Sequence, residues 1–358
     1  MLTRRALDAG VPGPEIRPSV SRLRPHTRAA LVGLCLLAAP LSAAAQDEGG
    51  EGSSGLVGLS LPLGARVVGQ GRAISGAAGE LQALPYNPAA IVGLERGALT
   101  YSRFEAAEHT EINGNFLAGS YATPWGTVAV HAVYLDYGEI TVTDASPDPV
   151  GTLEVSDWAI GVTYAHRWRD KLAYGATAKW LHADLGATDA SGPAFDVGLV
   201  YEPRADLPLG LAVAVRNLGP DLEFSSIGDG AGDDVATSEA LPSRVRVGVQ
   251  YHPATFPGLP ADYALALSFD IESVLNELAT SSQHAGAALT VHDVIVLRGG
   301  LMLLDNPFAS TSSNRNAGGS IGVGVRLGGF EADVAREISV SELGDETHIS
   351  VSWHFRDR

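Results

Sequence analysis

Arg244 and Arg246 stand two residues apart, and Asp270 and Glu272 repeat that spacing one strand later. A spacing of two puts each pair on one face of an extended chain. Opposite charges at one height on neighbouring strands form cross-strand ion pairs, and such pairs are expected among these four residues. Reinforcing a wall and keeping its inner face polar is their plainer role; a substrate site is the sharper one. The other chemistry-bearing groups carry less. His348 and His354 share a strand face with Ser350 and Ser352, which suits a polar surface better than a metal site. Gly69-Gln70-Gly71 with Gly76 lacks the dinucleotide-binding spacing and follows no clear strand, so close packing of backbone is its natural use. Asp229-Gly230-Ala231-Gly232-Asp233-Asp234 offers hard oxygens suited to calcium but misses the EF-hand spacing, and reads as a solvated acidic loop. His-Glu-x-x-His does not occur. The expectation is no catalytic residue, no metal, no cofactor and no enzyme activity.

The elements that position these residues are strands. From Gly97 onward, apolar and polar residues alternate in runs of about ten, bounded by Gly, Pro, Asp or Asn. Fourteen such runs are expected, at 97–107, 111–123, 125–138, 153–168, 171–185, 193–202, 207–217, 242–252, 261–272, 281–291, 293–304, 316–327, 329–340 and 346–355. In one, Val245, Val247, Val249 and Tyr251 oppose Arg244, Arg246, Gly248 and Gln250. In another, Ile321, Val323, Val325 and Leu327 oppose Ser320, Gly322, Gly324 and Arg326. A soluble sandwich and a membrane barrel both produce this pattern.

Three features favour an all-β transmembrane antiparallel barrel. The runs are long for soluble sheets but suit tilted bilayer spans. Their polar face is rich in Gly, Ala and Ser with scattered charges, as a lumen wall requires. The links alternate in length: Thr123-Pro124-Trp125-Gly126, Trp168-Arg169-Asp170-Lys171, His292-Asp293 and Gly328-Gly329 are short, whereas 139–152, 218–241 and 305–315 are long. Short periplasmic turns opposite longer outer loops mark outer-membrane barrels, and an even strand number then puts both termini in the periplasm. Tyr and Trp collect near run ends, among them Tyr121, Trp125, Tyr164, Trp168, Tyr201 and Trp353, as interfacial girdles do.

The N-terminal third is different. Arg22, Arg24 and Arg28 precede an apolar run from Ala29 to Ser42, then Ala43-Ala44-Ala45. That pattern is a signal peptide over 1–45, too short to span a bilayer as a helix. The sole cysteine, Cys35, lies inside it, so the mature chain has neither disulfides nor thiolate metal sites. Cleavage there removes six Arg and two acidic residues, which leaves 18 basic and 39 acidic residues and a charge of −21. Such a chain repels nucleic acid. Residues 46–62 read as a flexible lead-in. At 63–96 a glycine-punctured segment with a short helix-like piece at Glu80–Leu84 reads as a hatch or plug, its motif residues being Gly69, Gly71, Tyr86, Asn87, Pro88 and Ala89. The barrel then occupies 97–355, and Arg356-Asp357-Arg358 form a C-terminal extension.

The stretches GARVVGQGRAISGAAGELQALPYNPAAIVGLERG (Gly64–Gly97) and GVGVRLGGFEADVAREISVSELGDETHISVSWHF (Gly322–Phe355) resemble the PorV/PorQ family of outer-membrane proteins. Asn87-Pro88-Ala89 and the ending from Glu342-Leu343-Gly344-Asp345 to His348-Ile349-Ser350 carry the likeness most specifically. The extension past Phe355 departs from barrels that end on an aromatic residue. The resemblance implies a barrel like that of the fatty-acid transporter FadL, with 14 strands and N-terminal residues in the lumen. It implies two kinds of function. One is protein export or surface attachment of the type IX kind, with secretion components and exported proteins as partners. The other is passage of hydrophobic small molecules. A structural role is a third expectation, and outer-membrane lipid is a partner in all three.

Overall fold

The computed structural model describes residues 56–105, 112–143, 149–186, 188–203, 207–225, 236–253, 259–260, 262–275, 277–305, 315–338 and 345–355. The signal peptide expected at 1–45, residues 46–55 of the expected lead-in, the acidic run 229–234 and the extension at 356–358 lie outside these.

Among the described residues, sixteen strands run from Gly97 onward. They are β1 (Gly97–Glu105), β2 (Asn113–Thr123), β3 (Gly126–Thr143), β4 (Pro149–Trp168), β5 (Leu172–Asp184), β6 (Asp189–Tyr201), β7 (Leu209–Leu218) and β8 (Leu222–Ser225). After them come β9 (Ala236–Glu239), β10 (Arg244–Tyr251), β11 (Tyr263–Val274), β12 (Glu277–Val291), β13 (Ile295–Asp305), β14 (Arg315–Leu327), β15 (Phe330–Ile338) and β16 (Glu346–His354). Fourteen of them pair antiparallel with their neighbours, and β1 closes the ring on β16. β8 and β9 form a separate hairpin inserted between β7 and β10.

The closed barrel and its 14 wall strands are those expected from the period-two pattern. Two regions differ in detail. β3 and β4 run on into the expected long loop at 139–152, because Ile140-Thr141-Val142-Thr143 keeps alternating and pairs with the start of β4. The β8–β9 hairpin falls within another expected loop, 218–241, whose Gly and Asp residues mask four-residue strands.

The direction of the side chains settles what surrounds the wall. On β14, Ile321, Val323 and Val325 are 59%, 50% and 40% exposed on the outside, while Ser320 is 4% exposed on the inside. Leu99, Tyr101, Leu117, Val130, Ile160, Val162, Leu199 and Leu301 extend the same apolar outer surface. In water, an apolar patch of this extent would be a severe liability, at roughly 25 cal/mol for each Å². In hydrocarbon it is the required surface. No helix among the described residues is long and apolar enough to cross a membrane; this chain crosses with strands.

Inside the ring lies the segment from Leu56 to Arg96. It has little regular structure: a 3-10 turn at Val57–Ser60, one α-helical turn at Ala65–Val68, and 3-10 turns at Leu81–Ala83 and Pro88–Ile91. The stretch 56–62, expected within a flexible lead-in, is packed here. Leu56 and Leu63 are buried in the interior cluster, and Gly58 sits against Leu135, Tyr137 and Asp157 of the wall. Leu56, Leu59 and Leu61 give it apolar side chains to bury against that cluster, which the Gly/Ser-rich composition of the lead-in hides.

Candidate functional site: the plug and the wall it touches

The plug makes backbone contact with the wall at glycines. Gly71 holds φ +62°, a left-handed conformation suited to glycine, and its amide is so close to Gly300 on β13 that a Cβ on Gly300 would overlap it. Gly286 on β12 meets the Gln70 carbonyl in the same way. On the other side of the lumen, a Cβ on Gly175 of β5 would lie 2.6 Å from the Pro88 carbonyl carbon. Gly69, the other singled-out plug glycine, packs on Gly322 of β14 with 3.2 Å between its own ideal Cβ and the Gly322 Cα.

Asn87-Pro88-Ala89 has a physical account. Asn87 is the N-cap of the Pro88–Ile91 turn, and its Oδ1 accepts the Ala89 amide at 3.0 Å. Its Nδ2 donates to the Ser75 carbonyl at 2.9 Å and to the Leu199 carbonyl of β6 at 3.2 Å. One side chain therefore caps a turn, ties two parts of the plug together and ties the plug to the wall. Pro88 occupies the first position of the turn, where its missing N–H costs nothing. Ala89 is wholly buried. Tyr86 adds a second internal tie: its hydroxyl accepts from the Leu63 amide at 2.8 Å and donates to the Leu63 carbonyl at 3.1 Å. Burial raises the Tyr86 pKa above its ordinary value, so the hydroxyl keeps its proton.

The four charged residues singled out by spacing do converge. Arg246 and Glu272 lie opposite each other in the β10–β11 ladder, with Arg246 Nε donating to Glu272 Oε2 at 2.6 Å. Arg246 Nη1 reaches Asp270 Oδ2 at 3.1 Å, and Arg244 Nη1 reaches Glu272 Oε1 at 3.5 Å. Spacing did not show that the group also belongs to the plug. Asp270 Oδ2 accepts the amides of Ile74 and Ser75, each at 3.0 Å, and Oδ1 accepts the Ser75 hydroxyl at 2.8 Å. Arg246 Nη1 donates to the Arg72 carbonyl at 2.6 Å. Arg216 of β7 joins as well, donating to Pro85 O at 3.0 Å and Glu272 Oε2 at 2.6 Å. The guanidinium groups of Arg246 and Arg216 sit 5.0 and 5.6 Å from the Tyr86 ring centre.

A second charged group was not singled out in the sequence. Arg66 of the plug pairs with Glu80 at 2.6 Å and with Glu331 of β15 at 3.4 Å. Arg298 of β13 bridges Glu331 at 2.8 Å and Asp333 at 2.6 Å. Arg72 is held by Glu337 through two bonds, at 2.9 and 2.6 Å. The alternation of Glu331, Asp333 and Glu337 with Phe330, Ala332 and Val334 in β15 was the available signal, since three acids on a barrel's inner face need cationic partners. His348 stacks on Phe104 at 5.2 Å and approaches Glu346 Oε2 at 3.3 Å.

The lumen has two characters. Around β10–β16 it is charged, as above. Around β1–β6 it is mixed: Phe104, Phe116, Val133, Leu135 and Leu181 line it with buried alanines between them, beside the buried Lys179–Asp196 ion pair at 2.7 Å, Asp157 bonded to the Tyr137 hydroxyl, and His131. The plug turns its own Leu81, Leu84, Ile91 and Val92 into the same cluster, which also takes in Leu222 and Phe224 of the β8–β9 hairpin.

No protein-family model matches the chain, and no curated protein matches it. Solved structures do. The CymD monoaromatic hydrocarbon channel is 14% identical with a TM-score of 0.58, covering 82% of this chain and 98% of CymD. The toluene transporter TodX of P. putida is 12% identical with a TM-score of 0.55, covering 82% and 99%. A FadL homologue from Pseudomonas aeruginosa is 12% identical with a TM-score of 0.51, covering 82% and 98%. At these identities the likeness is one of fold. The chain has the architecture of a FadL-like outer-membrane β-barrel, a closed ring of 14 antiparallel strands.

Proposed function

We propose that this barrel passes small hydrophobic molecules across the outer membrane, acting as a conduit and not as an enzyme. The observation that carries this is the apolar seam between the plug and the inner face of β1–β6. A lumen built to pass polar solutes has no use for Phe104, Phe116 and Leu135 on its inner wall. Parting of that seam gives an apolar solute a continuous apolar surface to follow, and each buried methylene is worth about 0.8 kcal/mol. The neighbouring folds belong to proteins described as a monoaromatic hydrocarbon channel and toluene transporters, which fits this choice of cargo. In this reading residues 1–45 are a signal peptide, and the short turns and both termini face the periplasm.

Protein export of the PorV/PorQ kind is the second reading. Its support is the resemblance of Gly64–Gly97 and Gly322–Phe355 to that family, with secretion components as partners.

Entry of labelled toluene into vesicles with a lipopolysaccharide outer leaflet, with and without the purified barrel, tests the first reading. Accelerated toluene entry without accelerated glucose entry supports it; equal toluene entry in the two vesicle preparations defeats it. Gene deletion followed by a surface-protein inventory tests the second, which an unchanged inventory removes.

A further inference from the structure

The chain is acidic, with a formal net charge of −17, yet one short turn at the edge of the wall is basic. It joins β4 to β5 and reads Trp168-Arg169-Asp170-Lys171. Arg169 and Asp170 hold φ 52° and 55°, the left-handed pair of a tight two-residue hairpin turn. The turns at 123–126, 292–293 and 328–329 lie at the same end of the barrel, and none of them carries Arg or Lys. Arg167, just before the turn, is taken up by Glu202. Arg169 and Lys171 are exposed, and neither has a carboxylate partner among the described residues.

Arg169 is folded back onto the outward face of the wall. Its guanidinium carbon lies 4.7 Å from the centre of the Trp168 ring. Trp168 is 51% exposed on the lipid-facing side. It stands directly opposite Leu172, which stands directly opposite Tyr201. A cation at a bilayer edge ordinarily extends its stem toward water. This one lies against an aromatic platform at the height where headgroups sit. The guanidinium and the ammonium only donate hydrogen bonds, so the group that fits them is an anionic acceptor, and phosphate is the anion of a headgroup. Asp170 cancels one of the two cationic charges. The turn then carries one net positive charge, which matches a single phosphodiester better than a neutral zwitterion or a headgroup with two phosphates.

We infer that the outward face of the β4–β5 turn binds an anionic glycerophospholipid, of the phosphatidylglycerol class, from the inner leaflet of the outer membrane. Arg169 and Lys171 donate to its phosphate, and its acyl chains run along Trp168, Leu172 and Tyr201. Such a site fixes this rim of the barrel at headgroup height. The inference takes the short turns to face the periplasm, as in the reading above, and does not depend on which solute crosses the lumen.

The test is native mass spectrometry of the full-length barrel, released from detergent containing equimolar phosphatidylglycerol and phosphatidylethanolamine with the same acyl chains. Phosphatidylglycerol is expected to be retained about fivefold more, the effect of one net charge at a membrane surface. Arg169→Asn combined with Lys171→Gln is expected to abolish the preference. Asparagine adopts the left-handed conformation readily, so this variant keeps the turn. Arg103→Gln, which removes an exposed cation paired with Glu105 at the opposite end of the wall, is expected to keep the preference. Equal retention of the two lipids by the parent overturns the site, and that comparison uses the unaltered protein. A preference that survives the double variant, or that is lost in Arg103→Gln, overturns it as well. Retention of bisphosphorylated lipid A over phosphatidylglycerol, lost in the double variant, overturns the phospholipid assignment and turns this face toward the outer leaflet.

Discussion

Asp270 on the wall and Ser75 in the plug are joined twice, the carboxylate accepting the Ser75 amide at 3.0 Å through one oxygen and the Ser75 hydroxyl at 2.8 Å through the other. The same carboxylate accepts the Ile74 amide and meets Arg246. Asp270 therefore acts as a cap for a plug turn while being anchored in a ladder strand. The plug has almost no regular structure of its own, and ties of this kind take the place of one.

Asp270→Ala leaves two amides, a hydroxyl and part of a guanidinium without a partner inside the lumen. Removing one member of a buried charged group costs about 3–5 kcal/mol. Because the loss falls on the plug–wall contact and not on the ladder, the barrel is expected to stay folded while the plug loosens. Trypsin cleavage after Arg72 is the readout, expected to be much faster in Asp270→Ala than in the parent, with Asp270→Asn between them. Unchanged cleavage in the alanine variant contradicts the anchoring role.

Gly300→Val places a branched side chain where the Gly71 amide sits. The adjacent Gly299 faces outward, and the nearest atom to a Cβ there is the Ser320 carbonyl oxygen at 4.0 Å. Gly300→Val is expected to unseat the plug and raise single-channel conductance, while Gly299→Val leaves conductance as it was. Similar behaviour of the two variants would show that the plug does not lean on that wall glycine.

Asn87→Asp separates the two jobs of this side chain. The carboxylate still caps the Ala89 amide, but it cannot donate to the Ser75 and Leu199 carbonyls and repels them instead. The expected outcome is a loss of about 2 kcal/mol or more, larger than the roughly 1 kcal/mol of a lost cap alone, with partial recovery at acid pH as the aspartate protonates and can donate again. Heat-modifiability on semi-native gels across pH reads this out. A stability equal to the parent at neutral pH would deny the cross-link to Ser75 and Leu199.

The wall was legible in the sequence because one residue in two meets hydrocarbon, which imposes a strict period over every span. That period also made Arg246 and Glu272 legible as a pair, since each stands on the polar face of its strand at about the same height. The plug's seat was not legible. Arg72 and Glu337 are 265 positions apart, and nothing local says which wall strand a turn-rich segment will meet. Arg216 was hidden for a related reason: it lies on β7, which pairs with β10 only because the β8–β9 hairpin between them is set aside from the ring. Asn87-Pro88-Ala89 stood out as a pattern, and the bonds to Ser75 and Leu199 supply its cause.

The central claim is that apolar solutes cross by the seam between plug and wall. Its most direct measurement is toluene entry into lipopolysaccharide-faced vesicles carrying the parent barrel or Phe116→Asp, a variant that puts a charge on the inner face of β2 within the seam. The parent is expected to accelerate toluene entry and Phe116→Asp to lose most of that acceleration while still inserting as a folded barrel. Equal acceleration by the two proteins, or none by the parent, would contradict the account.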